Sequence, residues 1–228
     1  MKRWLSNTTS RCTPYVPALG YGWLTRFYDP LAKWGLDDAT LKRDLVRQSG
    51  LEPGFCVLDV GSGTGTLTLA MTESVAGLSV AGIDMDEEMV SKAARLTQSL
   101  KGSIQFMRGS ACEMPFADAS FDRVLSSLVF HHLTHQERVR TFEHIYRVLK
   151  PGGQLHFIDW TRPASTPAAA VFQIVRIVDG FERTGDSARG RLPPMLEHAG
   201  FSDVRVRRQQ HTMLGTLAFF SATKSDSV

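Results

Sequence analysis

The stretch "VLDVGSGTGTLTLA", residues 57–70, constrains this chain more than any other. An apolar run reaches Asp59, breaks into a turn with glycine at 61, 63 and 65, and resumes as a helix-like segment. Glycine at alternate positions lets the backbone bend sharply and lets a ligand lie directly against it. Turns between a strand and a helix hold nucleotides, phosphates and related cofactors. Two such patterns fail on spacing. The dinucleotide fingerprint G-x-G-x-x-G needs glycine where Thr66 stands, and glycine comes one place early at Gly65. The phosphate loop G-x-x-x-x-G-K-[ST] needs a lysine that this turn lacks.

Around this turn, strand-like and helix-like segments alternate from about residue 50 to 160. "FCVLDV", "LSVAGID", "SIQFMRG", "FDRVLSSLVF" and "QLHFIDW" read as strands. "TLTLAMTESVA", "DEEMVSKAARLTQSL" and "THQERVRTFEHIYRVLK" read as helices. The last opens on a capping box, Thr134 with Glu137, and stops at Pro151-Gly152-Gly153. Such alternation predicts a parallel sheet with helices on both faces. Ligands then bind past the carboxyl ends of the strands where strand order reverses, here expected at the first strand. The tail adds a helix, "RLPPMLEHAGF", and two strands, "DVRVRRQQHTM" and "TLAFFSATK", whose short link "LG" suits an antiparallel hairpin. The expectation is an α/β fold with a seven-stranded, mostly parallel sheet in a single domain, residues 1–228. Residues 1–50 and 161–190 stand outside the pattern.

Composition narrows the partners. The chain has 228 residues, 43% hydrophobic and 21% charged, enough for one domain with a full core. A net charge of +3 is too small and dispersed to argue for nucleic acid. Arg205, Arg207 and Arg208 form the densest basic patch, most simply a solvated strand edge; contact with an anionic substrate or membrane surface is the alternative. Cys12, Cys56 and Cys112 are scattered, which fits reduced thiols and a cytoplasmic location. No signal-like apolar run opens the chain, and the longest apolar stretch is broken by Gln173 and Arg176, so no membrane span is expected.

Asp84 ends the second strand, 19 residues after Gly65. A carboxylate there can accept hydrogen bonds from both hydroxyls of a ribose. Its other reading, a helix cap, is better filled by Asp86. With these residues the chain resembles the class I S-adenosylmethionine (SAM)-dependent methyltransferases, most of all the ubiquinone/menaquinone-biosynthesis type and its small-molecule relatives. "VLDVGSGTG" resembles their first motif, "GIDMD" the second, "GSACEMPFADASFDRVLSSLVFHHL" the passage from third to fourth strand, and "RVLKPGGQLHFID" the entry to the fifth.

That resemblance implies a Rossmann-like methyltransferase fold with SAM as the methyl donor. It places Gly61, Ser62, Gly63, Thr64 and Gly65 around the methionine part of SAM, with Asp59 orienting its amino group. It gives Asp84 the ribose, lays Met85 on the adenine, and puts Ser127 beside the methionine moiety. Where the family has an aspartate or asparagine to read the adenine amino group, this chain has Ser110, followed by Ala111. Loss of that charge weakens SAM binding by about 1 kcal/mol. "RFYDPLAKW" resembles a stretch of the same type, so Tyr28 is implied to cover the SAM pocket as part of an N-terminal helical lid over residues 1–50. Residues 161–190 correspond to the substrate cap.

"FHHLTH" contributes His131, His132 and His135. No carboxylate or cysteine joins them at ligand spacing, so no metal is expected. His132, with His131, can act as a general base, or both are structural residues at a strand end. Many relatives rely on positioning alone. The reading is methyl transfer to a small-molecule acceptor at oxygen, nitrogen, carbon or sulfur, releasing S-adenosylhomocysteine. Cap composition favours an apolar, lipid-like or quinone-like acceptor. Two alternatives stand: a SAM-binding scaffold or regulator without catalysis, and an RNA or protein methyltransferase of the same fold. The acceptor and the oligomeric state are not legible in the sequence.

Overall fold

Strand β1 (Cys56–Val60) is buried at all five positions because it lies inside the sheet, between β2 (Ser79–Asp84) and β4 (Phe121–Ser127). Around it the computed structural model describes residues 37–100, 102–163, 181–212 and 215–226. They build a seven-stranded sheet in the order β3-β2-β1-β4-β5-β7-β6, completed by β3 (Ser103–Arg108), β5 (Leu149–Trp160), β6 (Ser202–Thr212) and β7 (Gly215–Thr223). The first five strands run parallel; β7 runs antiparallel to both β5 and β6. Strand order reverses at β1, as the alternation predicts.

Helices cover both faces. On one side α1 (Asp38–Ser49) and α2 (Thr66–Ser74) pack Leu41, Leu45, Leu67 and Met71 onto Val57, Val80 and Leu125. On the other, α4 (His135–Val148) and α6 (Leu192–His198) pack Phe142, Ile145 and Leu196 onto Leu58, Ile83 and Phe157. Val57 and Leu58 thus serve opposite faces, the period-two alternation of a strand. Helix α3 (Glu87–Thr97) flanks β2 and β3. Asp86 caps it by accepting from the Glu88 and Met89 amides, and both halves of the Thr134–Glu137 capping box are formed on α4.

The structure revises several boundaries. Helix α4 ends at Val148, and Leu149 already pairs with Phe121 as strand, because Pro151 disfavours helical geometry at Lys150. Strand β4 ends at Ser127; Leu128 takes a left-handed φ of 59° and the chain turns into a short 3-10 segment at Phe130–His132. Of the segment expected as a lid, residues 38–49 are α1, a core helix against α2 and β5. Residues 1–36, with Tyr28, and residues 164–180 of the expected cap lie outside the described residues. The cap's last part, α5 (Phe181–Ala188), packs against the 3-10 segment and β5. Strand β6 is the solvated edge, where Arg205 pairs with Asp203 and the Arg208 guanidinium lies over the Phe219 ring. Among the described residues, no helix is long and apolar enough to cross a membrane.

Candidate functional site

The glycine turn hangs from the end of β2. The amides of Gly61 and Ser62 donate to the Ile83 carbonyl at 2.8 and 3.1 Å, and the Gly65 amide donates to the Ser62 carbonyl at 2.8 Å. Gly61 and Gly63 both have left-handed φ, 68° and 50°, for different reasons. A Cβ on Gly61 would lie 2.3 Å from Cγ2 of Val129, so its hydrogen admits the side chain that follows β4. A Cβ on Gly63 would meet nothing within 4 Å. Gly63 is therefore the open side of the turn. Ser62, on the same turn, has a buried hydroxyl without a hydrogen-bond partner in the structure, which itself calls for a polar ligand atom or water.

Two carboxylates flank the opening. Asp84, half-buried at the end of β2, accepts from the Gly63 amide through Oδ2 at 2.8 Å and from the Asp86 amide through Oδ1 at 2.9 Å. Each oxygen keeps further acceptor capacity. Asp59 on β1 is 1% exposed. Burial pushes its carboxyl up to about 6, against the hydrogen bond from Thr68 and the field of Lys42; the charge of Asp84 pushes the same way as burial. The Thr68 hydroxyl donates to Asp59 Oδ2 at 2.7 Å. Lys42 reaches in from α1, its Nζ 2.7 Å from Asp38 Oδ2 and 2.6 Å from Thr66 Oγ1, at the first residue of α2.

The remaining expected donor residues among those described lie along the same carboxyl ends of the strands. Met85 follows Asp84 and is half-buried, and Thr64 is exposed on the turn. Ser110 and Ala111 follow β3, and the Ser110 hydroxyl already accepts from the Cys112 amide at 3.2 Å. Ser127 is the last residue of β4, opposite Ile158.

The histidines separate. His131 is buried, and its Nδ1 lies 2.8 Å from Oδ1 of Asp159 on β5. His132 is exposed, and its ring centroid is 3.9 Å from that of His131 at a 45° tilt. His135 turns away to Asp186 on α5, with Nδ1 at 2.8 Å from Oδ2. Among the described residues, no group of three or more histidine, cysteine or acidic side chains is arranged to hold a metal. Arg138, fully buried on α4, holds the loop that carries the histidines: Nε and Nη2 donate to the Phe130 carbonyl, Nη2 also to the Leu133 carbonyl, and Nη1 to Asp186 Oδ2 at 2.7 Å.

Sequence reasoning missed Lys42, Arg138 and Asp159. Asp159 had a signal: it is the lone carboxylate in the strand "QLHFIDW", following the apolar pair Phe157-Ile158. Lys42 and Arg138 had none, since each sits in a helix rich in charged residues.

This strand order, with an antiparallel hairpin at one edge and a glycine turn after the central strand, is the architecture of Rossmann-like methyltransferases. A family model described as a methyltransferase domain matches residues 57–153. The chain is 36% identical over 208 residues to the demethylmenaquinone methyltransferase of Symbiobacterium thermophilum, covering 80% of this chain and 81% of that protein. It is 31% identical to the ubiquinone/menaquinone biosynthesis C-methyltransferase UbiE of a Marinomonas species, over 58% of this chain and 53% of that one, so it spans about half of that relative's length. Phosphoethanolamine N-methyltransferase 2 of Haemonchus contortus, solved with phosphomonomethylethanolamine and S-adenosylhomocysteine, superposes with a TM-score of 0.67 over 82% of this chain and 53% of that one. At 18% identity this last likeness speaks for the fold alone. The chain belongs to the class I SAM-dependent methyltransferases, and within them to the UbiE-like type.

Proposed function

We propose that this chain methylates a small, apolar, quinone-like acceptor, with SAM held at the tips of β1, β2 and β4. The observation that carries this reading is Asp84, a carboxylate tethered by the Gly63 and Asp86 amides beside the open face of Gly63. The site fits the donor. Asp84 has acceptor capacity for two ribose hydroxyls, and the unpartnered Ser62 hydroxyl lies on the turn assigned to the amino-acid end. Buried Asp59 suits an ammonium, which would hold its carboxylate ionised. Gly61, Thr64, Gly65 and Ser127 complete the methionine side; Met85, Ser110 and Ala111 take the adenine. When bound, SAM supplies an electrophilic methyl on a sulfonium. The chain's own contribution is to exclude water, hold the acceptor atom in line, and take its proton at His132, with His131 behind it. The names of the relatives, quinone-biosynthesis enzymes, support the acceptor class.

Calorimetric titration with S-adenosylhomocysteine, with NADH as the comparison, tests the donor site. Micromolar binding of the first and none of the second is expected. Asp84→Ala should weaken the binding by about a hundredfold or more, the loss of two hydrogen bonds to a charged group, while the fold persists. Unchanged affinity would remove the ribose assignment. Gain of one methyl by a demethylated quinone analogue, followed by mass spectrometry, tests the acceptor.

A further inference from the structure

Behind the two histidines lies a third group that the methyl-transfer reading does not use. Asp159, the penultimate residue of β5, is completely buried. Oδ1 accepts from His131 Nδ1 at 2.8 Å and from the Trp160 amide at 2.7 Å; Oδ2 accepts from the His131 amide at 3.1 Å. We infer that Asp159 is a positioning residue for proton transfer: it fixes the tautomer and plane of His131 and, through the contact between the two rings, poises His132 to accept a proton from the methyl acceptor.

An ionised carboxylate only accepts, so His131 must carry its proton on Nδ1. The ring is then held at both ends of one carboxylate, by its own amide and by Nδ1. His132 lies against this immobilised ring at 3.9 Å and is exposed at the strand tips. A carboxylate behind the pair favours a proton arriving on it. Among the described residues, the nearby charges include Arg138 on α4, which feels the field of Asp159 and donates to Asp186 on α5, itself 2.8 Å from His135. The Trp160 ring meets His131 edge-on at 6.5 Å.

A purely structural staple would be redundant. Arg138 already holds the loop through the Phe130 and Leu133 carbonyls, and the loop closes on itself through His132 N–H to the Val129 carbonyl. A second buried carboxylate aimed at an imidazole costs desolvation that the loop's position does not require. The chemistry it serves is removal of a proton, so the acceptor class is a nucleophile that bears one: a hydroxyl, a primary or secondary amine or an activated carbon, as opposed to a thioether or tertiary amine. The acceptor's lone pair, or the pair of the C–H bond that loses its proton, forms the bond to the methyl carbon. The pair of the breaking carbon–sulfur bond stays on sulfur, and the acceptor's proton passes to His132.

This inference rests on the methyl-transfer reading, and the test separates the two. Full-length chain labelled with 15N-histidine is followed by long-range 1H–15N NMR across pH, with and without S-adenosylhomocysteine, as the unaltered chain and as Asp159→Asn. The unaltered chain should show His131 protonated on Nδ1. In the variant the His132 titration midpoint should fall by about half a pH unit or more, as an imidazolium loses a nearby negative charge. S-adenosylhomocysteine affinity, by calorimetry on the same samples, should stay within about threefold, because the Asp159 hydrogen bonds among the described residues go to His131 and Trp160, neither assigned to the donor. A proton on Nε2 of His131 in the unaltered chain, which needs no variant to observe, would overturn the inference. So would an unmoved His132 titration in the variant. Failure of the unaltered chain to bind S-adenosylhomocysteine would overturn the methyl-transfer reading, and the inference with it.

Discussion

Asp59→Asn should make this protein more stable at neutral pH while weakening its hold on the donor. In the folded chain, burial raises the Asp59 carboxyl from 3.8 to about 6. An unfolded chain loses that proton near 3.8, so between the two values the folded state holds a proton that the unfolded state has released. Stability therefore falls as pH rises through this window, and the full penalty stands above about pH 6. Roughly two pH units correspond to about 3 kcal/mol. Asparagine has nearly the same shape, carries no charge, and can accept the Thr68 hydroxyl through its own oxygen. Its amide N–H groups, without an assigned partner, take back about 1 kcal/mol. The net gain at pH 7.5 is about 2 kcal/mol, a rise in Tm of roughly 4–8 °C for a chain of this size. At pH 4 the gain should vanish or reverse, because Asp59 is already protonated in the folded state. Urea and thermal melts of both proteins at pH 7.5 and pH 4 measure this difference. A gain of equal size at both pH values, or none at pH 7.5, would refute the assignment of a desolvated carboxylate at the base of the site. The accompanying loss of S-adenosylhomocysteine affinity would show that the site keeps Asp59 charged at the expense of stability.

Two glycine substitutions separate packing from opening. Gly61→Ala should cost about 2–3 kcal/mol, since its Cβ collides with Val129 and adds left-handed strain. Gly63→Ala should cost about 1 kcal/mol of strain alone and weaken S-adenosylhomocysteine binding at least about tenfold, because its Cβ projects into the open space. Equal losses of stability in urea melts would contradict the assignment of that space. His156 gives a pH dependence of opposite sign to Asp59. Burial, with the fields of Arg123 and Arg207, lowers its pKa from 6.5 to about 3, and its Nε2 lies 3.0 Å from the Gln154 Oε1 that a neutral ring satisfies. Its contribution is complete above pH 6.5 and drains away as pH falls toward 3. His156→Gln should therefore lose about 2 kcal/mol less than the unaltered chain between pH 7 and pH 5, read from denaturation at each pH. Parallel pH profiles would refute a histidine held neutral by its burial.

The features legible in the sequence are those set by neighbours along the chain. The apolar run of β1, the Asp86 cap, the Thr134–Glu137 box and the glycine turn each depend on residues within a few positions of one another, so their backbone geometry follows from local sterics and hydrogen bonding. The Asp84 tether was half visible: its place at the end of β2 was readable, whereas the Gly63 amide that fixes it came with the fold. Pro151 misled the reading of α4 because a proline can end a helix or simply follow the start of a strand, and pairing of Leu149 with Phe121 decided for the strand. Residues 38–49 carry an ordinary helical stripe, but only the sheet says that this stripe faces Val57 and Leu125 as core. The charged groups that tune the site were the least visible. Lys42 meets Thr66 across 24 residues, His131 meets Asp159 across 28 and Arg138 meets Asp186 across 48. By itself, then, the sequence determined the α/β alternation, the glycine turn after the first strand and the class of chemistry, all written in short-range patterns. Only the tertiary structure decided which turn glycine borders open space, which carboxylate is desolvated, and which histidine is buttressed, because those depend on burial and on charges that meet only when distant segments pack.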